Sequence, residues 1–428
     1  MPKRRFRVLA VGTHPVQYQV PMFRRMAVRE DLDLHVAYCT LRGAEAAHDP
    51  EFGATVKWDV PLLDGYSWVH VPNRGSGAES FFGLRNPGLW KLIRQGSFDA
   101  VLCYASYTRS TFWIAYFAAK SSGTAFLFGT DTITLSPLDG RMWKRRVKRV
   151  AWPLLFRLAD QVIVPSTGTR ELMHSLGLAD DRVTLTPYVV DNDWWLAQSA
   201  GVDRAAVRAS WGAAADDVVL LFCAKLQPWK RPTDLLRAFA RANPSRGLLV
   251  FAGEGPLHAS LEAEAATLGI AGRVRFLGFA NQTQLPAIYT AADLMVLPSV
   301  YDAFGVVVNE AMLCGCPVAA SDHVGAARDL IEHGRTGFVY PCGDIDALAG
   351  ILGQALENRS RLSEIGRSAR ARMESWSPRE NIDATAEAIS RAVTRVGRSA
   401  VWSGAVPSGA GPAATADSAR GTARKLSE

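Results

Sequence analysis

Asp302 and Glu310 lie in one stretch, separated by seven residues, with Phe304-Gly305 between them and Ala311-Met312 after the second. The stretch follows an apolar run at 294–297. Gly305 falls where a helix should begin, and that helix should end at Cys314-Gly315, before Pro317. A glycine-bearing loop that opens a helix presents unpaired N–H groups and the positive end of the helix dipole, which suits a phosphate. Glu310 lies about one and a half turns further along, too far to cap the helix. A carboxylate there can accept hydrogen bonds from sugar hydroxyls beside the phosphates, and Asp302 can do the same on the other side. Lys225 and Lys230 leave the end of another apolar run, 218–222, and can clamp a diphosphate as point charges. Alone they would read as surface lysines; the 302–310 loop gives them a partner.

These residues need strand ends and helix starts to hold them. Short β-rich apolar runs at 7–11, 32–38, 100–103, 125–128 and 161–164 alternate with segments long enough for crossover helices. A polar, Trp-containing stretch at 191–211 follows, and then a second series at 218–222, 248–251, 274–277, 294–297 and 317–320. The pattern predicts two consecutive α/β units with parallel sheets: domains at 1–190 and 191–370, then a helix at 371–396. From Ser399 to Glu428, 21 of 30 residues are Ala, Gly, Ser, Pro or Thr, so 397–428 reads as a disordered tail.

The 428 residues, 48% apolar and 21% charged, exclude a disordered, collagen-like or coiled-coil chain. No apolar run approaches the ~18 residues of a membrane-spanning helix, and the basic amino end is not followed by a signal-peptide pattern. The expected location is the cytosol. Six scattered cysteines read as reduced thiols. No zinc-ligand spacing occurs, and the acid pairs Asp31/Asp33, Asp191/Asp193 and Asp344/Asp346 read as surface or turn acids, so no metal is expected. Residues 1–190 hold 24 Lys+Arg and 16 Asp+Glu; subtracting from the totals of 48 and 41 leaves 24 and 25, so the net +7 divides as +8 and −1. The densest cluster lies in the segment 141–156. It reads either as a helix drawn to an anionic membrane surface at the inner face of the cell membrane, with Trp143 and Trp152 as anchors, or as a solvated helix packed on a sheet. No nucleic-acid module is present.

The motif of Asp302, Phe304-Gly305, Glu310 and Ala311-Met312 resembles the signature of the retaining GT-B glycosyltransferases of family 4, the glycosyltransferase group 1. Ala252-Gly253-Glu254-Gly255-Pro256, Phe276-Leu277-Gly278-Phe279, Ala292-Asp293, Pro317-Val318 and Gly337-Phe338 match in order, and Pro187 to Asp191 occupies the interdomain junction. The resemblance is strong over 216–370 and looser before it. It implies two Rossmann-like domains facing each other across a cleft, with the helix at 371–396 packing back toward the first. It further implies transfer of a sugar from a nucleotide-diphosphate-sugar to a hydroxyl of a glycan or lipid-linked acceptor, in cell-surface polysaccharide or glycoconjugate synthesis, without a cofactor. Lys225 and Lys230 would hold the pyrophosphate, Glu310 the ribose hydroxyls and Asp302 the transferred sugar. Gly305 with the N–H groups of Val306 and Val307 would face the phosphates, and Gly278 and Phe279 would border the base. Asp302 stands where family members usually carry Glu, and Lys225 where Arg is commoner. Gly12, with His14 after it, occupies the loop where the family usually carries two glycines. Asp131, after the run 125–128, is the acceptor-side acid. Two rivals stay open: a nucleotide-sugar 2-epimerase of the same fold, and a non-catalytic nucleotide-sugar-binding partner protein.

Overall fold

The apolar runs become the central strands of two sheets. A computed structural model describes residues 4–49, 53–136, 141–242 and 246–402. In chain order the first domain contributes β1 (Phe6–Gly12), β2 (Leu32–Tyr38), β3 (Ala47–Asp49), β4 (Ala54–Val56), β5 (Ser67–His70), β6 (Ala100–Cys103), β7 (Ala125–Gly129), β8 (Gln161–Val164) and β9 (Val183–Leu185). The second contributes β10 (Val218–Cys223), β11 (Gly247–Ala252), β12 (Val274–Gly278), β13 (Leu294–Leu297), β14 (Val318–Ser321) and β15 (Gly337–Tyr340). One sheet has the order β5-β2-β1-β6-β7-β8-β9 and the other β12-β11-β10-β13-β14-β15; β3 and β4 form a separate antiparallel pair. All pairings within the two large sheets are parallel. Helices cover both faces, so strands such as β6, β8 and β10 are buried along their whole length and read as unbroken apolar runs.

Each sheet reverses its winding once, between β1 and β6 and between β10 and β13. At such a point the neighbouring loops diverge and leave a crevice at the carboxyl ends of the strands. Those ends carry Thr13 and His14, Tyr104, Thr130 and Asp131 in the first domain, and Lys225 and the 298–305 loop in the second.

The expected single helix at 371–396 is divided. Helix Arg359–Arg372 ends in a turn at Met373–Ser375, and helix Pro378–Trp402 follows. Trp376 causes the break by turning inward, where Nε1 donates to the Tyr188 carbonyl at 2.8 Å. Ser377 restarts the helix: its N–H donates to Glu380 Oε2 at 2.9 Å, one half of a capping box, ahead of a proline at the first helical position. Ile382, Thr385, Ile389 and Ala392 lie on one buried face of this helix, which packs across β7, β8 and β9 of the first sheet. It therefore straps the second domain's chain to the first. The helix continues through Trp402, beyond the expected start of the tail at 397, and the rest of that tail lies outside the described residues.

Asp293 fastens the segment between the domains to the second sheet. Its carboxylate, 2% exposed, accepts from Arg208 at 2.8 Å, Arg359 at 2.9 Å and the Val219 N–H at 2.8 Å, with Arg204 also paired to it. Burial alone would raise this carboxyl; the Val219 N–H, the Arg208 bond and the guanidinium charges outweigh it and hold it below the usual carboxylate range. Asp293→Ala should cost about 3–5 kcal/mol, because it leaves buried arginines uncompensated. Urea unfolding checks this, and an unchanged midpoint would contradict it. Since the folded value is depressed, the contribution is present above the unfolded value of about 3.9 and disappears as pH falls through the lower folded value.

Candidate functional site

The 302–305 loop is a rigid platform. After β13 the chain turns through Asp302 to Gly305, and helix Val307–Leu313 begins two residues beyond the glycine. Gly305 sits at φ +90°, and a Cβ there would meet Val324 Cγ1 at 3.0 Å. The segment after β14 supports the loop from below: the Gly325 N–H donates to the Asp302 carbonyl at 3.0 Å and the Ala326 N–H to that of Phe304 at 2.7 Å. Gly325 permits this approach, since a Cβ would stand 2.3 Å from the Ala303 carbonyl oxygen. Phe304 stacks on Trp376 (6.2 Å, 6°) and meets Tyr188 edge-on (5.6 Å, 89°), which ties the loop to the interdomain junction. Val306 and Val307 thus present the first N–H groups of the short helix.

Glu310 lies in the first turn of that helix, which starts at Val307 and not at Gly305 as the sequence suggested, and is buried. Tyr289 Oη donates to its Oε2 at 2.9 Å and lies 3.2 Å from Cys223 Sγ at the end of β10. Burial pushes the Glu310 carboxyl up to about 8, with the Tyr289 bond opposing the rise. Asp302 faces a different group. Lys230 Nζ stands 2.5 Å from its Oδ2, both side chains being mostly buried. Lys225 sits in the loop after β10, against the glycines at 253 and 255, where a Cβ would run into the Ala224 and Leu226 carbonyls. Gly278 accepts the Gly253 N–H at 2.8 Å, and Phe279 meets Trp58 of the first domain at 6.1 Å. Asn281 Nδ2 donates to the Lys57 carbonyl at 2.8 Å beside this contact, so the lips of the cleft touch here.

A cavity of about 210 Å³ opens at the carboxyl edge of the first sheet. His14 and Asp131 both line it, with Thr13, Tyr18, Tyr104, Thr130, Thr186 and Tyr188 among the other walls. Thr13 Oγ1 lies 3.0 Å from His14 Nδ1. Asp131 is open to cleft solvent, yet the protein surrounds it: desolvation first, and then the charge of Asp302 across the cleft, raise its carboxyl, while a hydrogen bond with Tyr188 opposes the rise. Tyr18 and Tyr301 are pushed up by burial and then by the same two acids. Asp131, Asp302 and Lys230 therefore converge from two domains. Glu310 stands apart from them on Tyr289. Gly12 does not line the cavity; a Cβ there would sit 3.2 Å from the Tyr38 ring, so its small size is needed for packing.

Sequence reasoning missed Tyr18, Tyr104, Thr186 and Tyr289. No local pattern marks the first three, because only the topology gathers five strand ends into one cavity, and Tyr289 reaches Glu310 from a separate helix, Leu285–Ala291. Among the described residues no three His, Cys, Asp or Glu side chains group to hold a metal ion. Asp31 pairs with Arg29, Asp191 and Asp193 both pair with Arg25, Asp344 caps helix Ile345–Glu357 and Asp346 pairs with Arg241.

The basic segment forms helix Trp143–Arg157 on the outside of the first domain. Trp152 is buried, its Nε1 donating to Tyr107 Oη at 2.9 Å, so it is not the surface anchor that the sequence suggested. Trp143, Val147, Val150 and Leu154 are 60%, 52%, 72% and 64% exposed, an apolar stripe at helical spacing among six cations of 141–149. No helix among the described residues is long and apolar enough to cross a membrane.

Residues 6–189 match the family model of the glycosyl transferase 4-like domain and residues 203–372 that of the glycosyl transferases group 1. A D-inositol 3-phosphate glycosyltransferase of Streptomyces scabiei is 35% identical over 324 residues, 71% of this chain and 70% of its own length. One from Nocardia farcinica is 34% identical over 245 residues, 55% of this chain and 53% of its own, so the chain spans about half the length of that relative. Among solved structures, Anabaena Alr3699/HepE in complex with UDP and glucose has a TM-score of 0.69 at 22% identity, covering 90% of this chain and 100% of that one. A glycosyltransferase from Rickettsia africae has a TM-score of 0.70 at 14% identity, covering 91% and 99%. At such identities these structures speak for the fold alone, and that fold is GT-B. Both halves match in order, and a relative of 35% identity spans more than two thirds of both chains; this chain belongs to the group 1 glycosyltransferases and has the GT-B fold.

Proposed function

We propose that the enzyme moves a sugar from a nucleotide-diphosphate-sugar to a hydroxyl of a small polyol, glycan or lipid-linked acceptor, with retention of anomeric configuration and without a metal. The convergence of Asp131 from one domain with Asp302 and Lys230 from the other carries this reading. It gives the cleft an acceptor wall and a donor wall around one reacting centre. Lys225, Lys230 and the N–H groups of Val306 and Val307 would stabilise charge as the bond from the sugar's C1 to the diphosphate breaks and its electron pair leaves with the phosphate oxygen. The acceptor oxygen would bond to C1 on the face being vacated, and its proton would pass to that leaving oxygen. Asp302 and Glu310 do not suit a glycosidase pair: one carboxyl is tied to Lys230 and the other is buried on Tyr289. The names of the curated relatives make a cyclic polyol the first acceptor class to try.

The test incubates the chain with UDP-, GDP- and ADP-sugars, with and without acceptors and chelator, and reads products by mass and anomeric NMR. Retained configuration and an unchanged rate in chelator are expected. Epimerised donor without acceptor would favour the 2-epimerase, and no release of nucleoside diphosphate would favour the non-catalytic partner.

The exposed stripe on helix Trp143–Arg157 supports a peripheral membrane contact, which a role in cell-surface glycoconjugate synthesis would use. Vesicles containing anionic lipid should sediment the protein, and Val150→Glu with Leu154→Glu should release it. Failure of the wild-type chain to sediment would end that proposal.

A further inference from the structure

We propose that the cavity in the first domain takes an uncharged polyol or sugar, and rejects an acceptor whose buried part carries a phosphate. The inference rests on the reading above that this cavity is the acceptor site. Its polar walls are hydroxyls, an imidazole, the Gln19 carboxamide and one carboxyl, among them Thr13, His14, Tyr18, Thr130 and Asp131. Among the described residues, no lysine or arginine lines it.

Proteins recognise a phosphate chiefly with guanidinium forks, ammonium groups and backbone N–H groups. Here the first domain's excess charge is concentrated on the outer helix Trp143–Arg157, whose residues take no part in the lining. Helix Val20–Ala27 begins directly after the cavity's Tyr18 and Gln19, and its cations have other partners. Arg24 donates to the Asp64 carbonyl, and Arg25 pairs with Asp191 and Asp193. Lys230, across the cleft, is held by Asp302. A phosphate placed in the cavity would face Asp131, with Asp302 close behind, and meet no lysine or arginine among the described lining residues. Hydroxyls that both donate and accept suit the edge of a polyol, and the tilted rings of Tyr18 and Tyr188, 5.7 Å apart, suit its apolar faces.

Relatives named for D-inositol 3-phosphate make the contrast testable. The full chain is first shown by thermal shift to bind its nucleotide-sugar, and kcat/KM is then measured for matched acceptors: myo-inositol against inositol 3-phosphate, and methyl glucoside against glucose 6-phosphate. The neutral member of each pair should be favoured by about tenfold or more, the least that an uncompensated like-charge contact in a partly buried site costs. Asp131→Asn should lower both rates yet shift their ratio toward the phosphorylated acceptor. A phosphorylated acceptor used as well as its neutral twin, or a ratio unmoved by Asp131→Asn, overturns the proposal. So does donor binding with transfer to neither member. A chain that binds no nucleotide-sugar fails the functional reading instead, and this inference falls with it.

Discussion

Glu310→Ala should weaken nucleotide-sugar binding and remove detectable transfer. If two ribose hydroxyls donate to the carboxylate, each charged hydrogen bond contributes about 1.5–3 kcal/mol, and losing both lowers affinity by a factor on the order of a hundred to ten thousand. Binding within threefold of wild type would remove Glu310 from the donor site. A second consequence concerns protons. Burial holds the carboxyl at about 8, well above the unfolded value of 4.5. A raised carboxyl favours the fold while protonated. Its contribution is therefore full below 4.5, declines as pH rises toward 8 and is absent above that. Ribose hydroxyls that donate to Glu310 favour the ionised form, so donor binding at pH 7 should release a proton. Calorimetry in two buffers of different ionisation enthalpy measures that release, and Glu310→Gln should abolish it. A Gln variant that still releases the proton would place it on another group.

The strands that sequence reasoning found and missed divide by their place in the sheets. Runs such as 100–103, 161–164 and 218–222 are buried on both faces, and continuous apolar character marks them. β5, β9 and β15 went unread, and each lies at a sheet edge, as does β12, which its apolar run still marked; the separate β3–β4 pair also went unread. They are short, and β5 exposes all four of its residues, so neither alternation nor an apolar run identifies it. The donor loop was legible because Asp302, Gly305 and Glu310 lie within nine residues and their geometry is local. The cavity was not, since His14, Tyr104, Asp131 and Tyr188 come from four distant loops. Trp152 marks the reverse error: residue type suggested a surface anchor, whereas burial and a bond to Tyr107 explain it.

Lys230→Ala should lower kcat by about a hundredfold to a thousandfold, the scale of losing one preorganised group that stabilises developing charge. The Lys230–Asp302 ion pair gives the reason that the loss would fall on kcat as well as on binding. Lys230 holds Asp302 at 2.5 Å while Asp302 lies close enough to Asp131 to raise its carboxyl. On the proposed reading, an arriving diphosphate would draw Lys230 partly away and free Asp302 to accept from the transferred sugar as the cation meets the leaving group. Removing the lysine takes away that stabilisation and leaves two acids facing each other with no cation between them. Asp302→Asn removes one of those acids, so the double variant should be less damaged than the product of the two single effects. Lys230→Arg keeps the charge on a longer, planar group and should recover much of the rate but not all of it. A kcat for Lys230→Ala within threefold of wild type, or strictly multiplicative effects in the double variant, would show that this ion pair holds the loop and plays no part in transfer.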